Sequence, residues 1–65
     1  MWTVIYIAQS KKMAEIIEKL LTDEGMLVKI QSVGKKLESE YGYYEILVPE
    51  CEAEEAQNIL YETGY

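Results

Sequence analysis

The sequence predicts an α+β fold with the element order βαββα. Three observations carry that prediction. Residues 10–25 place Met13, Ile16, Ile17, Leu20 and Leu21 at the i, i+3, i+4, i+7, i+8 spacing of a single helical stripe. Residues 2–8, 26–33 and 43–48 are rich in β-branched and aromatic side chains, the composition of strands. Ala53, Ala56, Ile59 and Leu60 form a second helical stripe near the end of the chain.

Taken in order, residues 2–8 (WTVIYIA) form the first strand, free of charge, Gly and Pro. Alternation puts Trp2, Val4 and Tyr6 on one side and Thr3, Ile5 and Ile7 on the other, so both faces are apolar. Gln9 and Ser10 turn into the first helix, with Ser10 suited to accept a free first-turn N–H. Lys12, Glu15, Glu18, Lys19, Thr22 and Asp23 fall largely on its polar side, and Gly25 suits a left-handed ending. In the second strand, residues 26–33, Val28 and Ile30 alternate with Lys29 and Gln31, which gives one buried and one wet face. Residues 34–40 (GKKLESE) are the most polar stretch and read as a hairpin loop. In the third strand Tyr44, Ile46 and Val48 face one way, Tyr41 and Gly42 extend it, and Pro49 ends it, because proline cannot donate to a ladder. The second helix spans residues 52–62, with Gln57 at the margin of its stripe and Gly64 as its stop. Its first turn carries Glu52, Glu54 and Glu55, where carboxylates interact well with the helix dipole.

A strand–helix–strand unit with a right-handed crossover makes the first two strands parallel. The crossover leaves a gap, and the third strand, returning by a hairpin, fills it. The expected sheet order is 1-3-2 with both helices on one face. This is the split βαβ arrangement of ferredoxin-like folds, minus the last strand. Residues 62–65 offer an alternative fourth strand, but they are short.

Sixty-five residues make one domain, 1–65, with little stability to spare. Cys51 is the only cysteine and there is no histidine, so an internal disulfide and an ordinary zinc site are both excluded as staples. No cofactor is expected. A partner subunit is the remaining route, and a lone cysteine fits a cytoplasmic location. Residues 4–8 are too short an apolar run for a membrane span and lack the basic leader of a signal peptide. The net charge is −6, all six basic residues are lysines within residues 1–36, and residues 37–65 hold only acids. An acidic chain without arginine is a poor partner for nucleic acid, whose affinity rests on phosphate contacts.

Val4, Tyr6 and Ala8 lie in the first strand, and Ala14, Glu15, Leu20, Leu21, Glu24 and Gly25 in and after the first helix. Ile46, Leu47, Val48 and Pro49 follow, then Ala56, Ile59 and Leu60. Through these residues the chain resembles small prokaryotic domains of unknown function of the signal-transducing protein type. The resemblance implies a regulatory or ligand-sensing role and brings no catalytic motif with it. Some short chains of this kind are named as decarboxylases, and no residue in this sequence supports that activity.

Ser10, Lys11 and Lys12 form the leading candidate binding site. Free N–H groups, a hydroxyl and two ammonium groups at a helix start suit a phosphate or carboxylate, and Lys35 and Lys36 of the loop are within sequence reach of joining them. Ordinary exposed lysines explain the same residues, and no Gly-rich fingerprint accompanies them. Glu50, Glu52, Glu54 and Glu55 lack the EF-hand spacing and read as a solvated helix start. Cys51 reads as a small residue at that start rather than a redox-sensitive thiol. Tyr41, Tyr43 and Tyr44 make an aromatic cluster beside the loop, and alternation sends one of Tyr43 and Tyr44 to the core. With no histidine and no metal cluster, an enzyme is not expected.

The functional expectation is therefore a small cytoplasmic regulatory or protein-interaction module acting as an oligomer. The alternatives are a small-anion or metabolite sensor at the first helix N-terminus, or an accessory subunit of an enzyme. In a 1-3-2 sheet the first strand is an unprotected edge, with no lysine or proline and no expected bulge to blunt it. A homodimer is expected through Trp2, Thr3, Val4, Ile5, Tyr6 and Ile7, by edge pairing or by packing of open sheet faces. Neither a membrane nor nucleic acid is expected as a partner.

Overall fold

A computed structural model describes residues 1–33 and 43–65. The hairpin loop expected at residues 34–40, and Tyr41 and Gly42 as a strand extension, lie outside the described residues. The elements are β1 (Trp2–Ala8), α1 (Lys11–Thr22), β2 (Lys29–Val33), β3 (Tyr43–Pro49) and α2 (Ala53–Glu62), with a 3₁₀ turn at Glu50–Glu52 before α2. The strands form one sheet in the order β1-β3-β2, and β3 runs antiparallel to both neighbours. This is the α+β arrangement expected from the element order. Residues 62–65 add no strand.

Both helices lie on one face of the sheet. Ala14, Ile17 and Leu21 of α1 and Ala56 and Leu60 of α2 share a single core with Ala8, Met26, Ile46 and Val48. Tyr44, Ile46 and Val48 supply the central strand of that core, as alternation predicts. The stripe of α1 is rotated from the expected one. Its centre runs through Ala14, Ile17 and Leu21, while Ile16 is 40% exposed. Ala14, Ala8 and Ala56 are all fully buried. Small residues let the helix backbones approach the sheet closely, so the helix turns its alanine inward and leaves Ile16 at the rim.

Both helices end alike. At α1, Gly25 adopts φ +88° and its N–H donates to the Thr22 carbonyl at 2.9 Å. The Met26 N–H donates to the Leu21 carbonyl at 3.2 Å. At α2, Gly64 adopts φ +92°, with Gly64 N–H to Tyr61 at 3.2 Å and Tyr65 N–H to Leu60 at 2.8 Å. These paired bonds satisfy carbonyls that a helix end leaves orphaned. They also use up the last residues, which explains why no fourth strand forms there.

Two expectations are corrected. The second strand begins at Lys29 rather than residue 26. Its register sets Lys29 against Leu47. Continued backward, it would set Leu27 against Pro49, which has no N–H to donate. Met26 instead joins the core as the residue that closes α1. The first strand does carry a bulge: Val4 pairs with Leu47 and Tyr6 with Ile46, leaving Ile5 as the extra residue. A bulge shifts the side-chain phase by one. Thr3, Tyr6 and Ala8 therefore sit opposite Val48, Ile46 and Tyr44 on the helix side, and Ile5 packs against the core. Trp2, Val4 and Ile7 share the open face, which replaces the strict alternation expected for this strand.

Candidate binding surfaces

The N-terminus of α1 is built as a capped helix start. Ser10 is extended (φ −149°, ψ 160°), and its hydroxyl accepts the Met13 N–H at 3.1 Å. The Ala14 N–H donates to the Ser10 carbonyl at 3.0 Å. Capping uses one of the four orphan donors of the first turn, and Lys11 and Lys12 carry others. Ser10, Lys11 and Lys12 are all exposed, and no acid lies in this turn. The three residues are thus brought together at one helix end, with the hydroxyl already engaged in the cap. Lys35 and Lys36 lie outside the described residues.

The other surface is the sheet face away from the helices. Its register sets Trp2 against Pro49, Val4 against Leu47 and Ile7 against Glu45. On the far side of β3, Lys29 lies against Leu47, Gln31 against Glu45 and Val33 against Tyr43. Trp2 is 44%, Val4 40% and Ile7 49% exposed. Leu47 is only 8% exposed although it stands apart from the main core. The Lys29 ammonium lies 5.6 Å from the centre of the Trp2 ring. This contact runs from β2 to β1 across the open side of β3, and the two long side chains shelter the apolar surface beneath them. Leu47 is the residue of β3 that stands on this face beside Val4, because Ile46 is in the core.

The expected oligomer residues are consequently divided. Trp2, Val4 and Ile7 remain available on the open face, whereas Thr3, Ile5 and Tyr6 turn towards the helices. Tyr44 takes the core position and Tyr43 the open face, as their opposite parity requires. Lys29 is the contributor that sequence reasoning passed over. The wet face of its strand marked it as solvated, and only the strand register brings it within reach of Trp2.

The remaining candidates are simpler. Cys51 is an exposed free thiol in the 3₁₀ turn. Glu52 takes the N-cap position of α2 without a side-chain capping bond, and its Oε1 is buried with no hydrogen-bond partner among the described residues. Among the described residues no group of three or more His, Cys, Asp or Glu is placed to hold a metal ion. Among the same residues no helix is long and apolar enough to cross a membrane. Comparison of the chain with protein-family models, curated proteins and solved structures finds no match in any of the three.

Proposed function

We propose that this chain is a small regulatory or protein-interaction module that works by binding rather than by catalysis, and that it acts as a homodimer. The observation that carries this reading is the open sheet face. A domain with helices on one side only leaves the other side of its sheet to water, and such a face is normally polar. Here it presents Trp2, Val4, Ile7 and Tyr43, each more than a third exposed. An apolar patch of this kind marks an interaction surface more often than an idle one. Sedimentation at micromolar to millimolar concentration tests the reading. A dimer burying at least ~1,000 Å² in total is expected. A monomer over the whole range overturns it.

The anion-sensor reading stands second, supported by the acid-free, capped first turn of α1. Phosphate or sulfate titration followed by amide NMR shifts tests it. Movement confined to residues 10–14 supports the sensor, and unmoved amides at millimolar anion remove it.

A further inference from the structure

We propose that the occupant of the open sheet face is a second copy of this chain, packed face to face, with Lys29 of each copy on Glu45 of the other. This rests on the homodimer reading above and adds the geometry of its contact.

Charge is the first argument. The chain carries −6 overall. Among the described residues the open face holds one cation, Lys29, and one anion, Glu45. The remaining acids of the described residues lie on α1 and in the turn that follows it, in the 3₁₀ turn and on α2. Two copies that meet through their sheets keep those acids on opposite outer surfaces. Meeting through the helical side would bring them together, and like charges across an interface are strongly unfavourable. The open face is therefore the side on which this acidic chain tolerates a copy of itself.

Register is the second argument. Lys29 lies beside Leu47, and Glu45 is two residues along β3 from Leu47 on the same face. The two charges stand one diagonal step apart. They form no ion pair with each other within the chain, since Lys29 leans over Trp2 instead. A twofold axis lying in the plane of the interface and bisecting the line from Lys29 to Glu45 exchanges the two charges between copies. Both cross-copy pairs then form together, as an isologous contact requires. The same axis passes over Leu47 and Val4, which brings apolar side chains of the two copies into contact at the centre. Leu47 and Val4 meet near the axis, the two charge pairs stand beside them, and Trp2 and Ile7 of the edge strand lie further out.

The bulge is the third argument. Edge pairing of two β1 strands would need a regular exposed ladder, and Ile5 interrupts β1 in its middle. Bulges at sheet edges twist the strand away from such pairing. Area sets the strength. Three strands spaced about 4.8 Å apart and about 20 Å long give a flat footprint of roughly 300 Å² per copy, which the relief of the side chains enlarges to the small end of specific interfaces, so a modest affinity is expected.

Charge exchange tests the contact. Lys29→Glu and Glu45→Lys are each expected to weaken self-association by about tenfold or more, because each puts like charges at both pairs. The double variant carrying both substitutions restores the pairs in reverse and is expected to return to within about threefold of the parent. Far-UV circular dichroism confirms that each variant is folded. Isotope-filtered NMR on the unaltered chain needs no variant, and contacts between Leu47 and Val4 methyls of different copies are expected. If the chain dimerises but the double variant stays as weak as the single ones, the face-to-face contact is wrong while the homodimer reading survives. Between-copy contacts confined to the β1 backbones overturn the face-to-face contact in the same way. A chain that stays monomeric overturns both.

Discussion

Ile16 and Ile17 are neighbours of the same type with opposite surroundings. Ile17 is fully buried and Ile16 is 40% exposed. Ile17→Ala is expected to cost about 2–5 kcal/mol, the range for a buried aliphatic truncation. Domains of this size hold only about 5 kcal/mol in total, so that variant sits near the edge of folding. Ile16→Ala should cost under ~1 kcal/mol, and Lys19→Ala no more, since its bridge to Asp23 at 3.5 Å is solvent-exposed. Urea denaturation compares the three, and equal losses would contradict the assigned face. Glu52 is a residue of the opposite kind. Its Oε1 is buried without a partner among the described residues. Removing an unpaired buried polar atom relieves a desolvation cost of about 1–3 kcal/mol. Glu52→Met should therefore leave the midpoint unchanged or raise it, and a clear loss would mean that the carboxylate is satisfied by solvent.

At the scale of elements, the helix ends carry the strongest local instructions. Gly25 and Gly64 have φ of +88° and +92°, and a Cβ at either position would meet nothing within 4 Å. Alanine there has room but the wrong backbone. Gly25→Ala and Gly64→Ala should each cost about 1–2 kcal/mol, the left-handed penalty of an L-residue without any steric addition. Ser10→Ala should cost about 1 kcal/mol through the lost cap. Thermal melts of the three variants check these values, and a loss at Gly25 well above ~2 kcal/mol would mean a contact that the open space around it does not provide. The caps and the β3 alternation were legible because each depends on a few residues adjacent in the chain. The start of the second strand was not, because it is set by where its pairing with β3 begins across the sheet.

For the whole molecule, the bulge decides which substitutions report on assembly. Ile5→Lys, a natural probe of an exposed edge strand, instead strikes a residue packed against the core. It should destabilise the chain, because a lysine there is partly buried against apolar side chains. Ile7→Lys and Val4→Lys lie on the open face and should leave the circular dichroism of the chain intact while shifting sedimentation towards monomer. Loss of folding in Ile7→Lys would place that residue in the core and contradict the register with Glu45.

The sequence by itself determined the element order, the helix caps, the sheet order and the acidic balance. These follow from periodicity, turn chemistry and the limited ways of connecting parallel strands. The tertiary structure alone decided the phase of β1, the rotation of α1 onto Ala14 and the meeting of Lys29 with Trp2. Each of these depends on a partner distant in the chain. The bulge exists only against β3, the alanine contact only against a sheet, and the cation–aromatic contact only once two strands are set on either side of a third. Local patterns carry no record of such pairings, because the same residues satisfy their local rules in either phase.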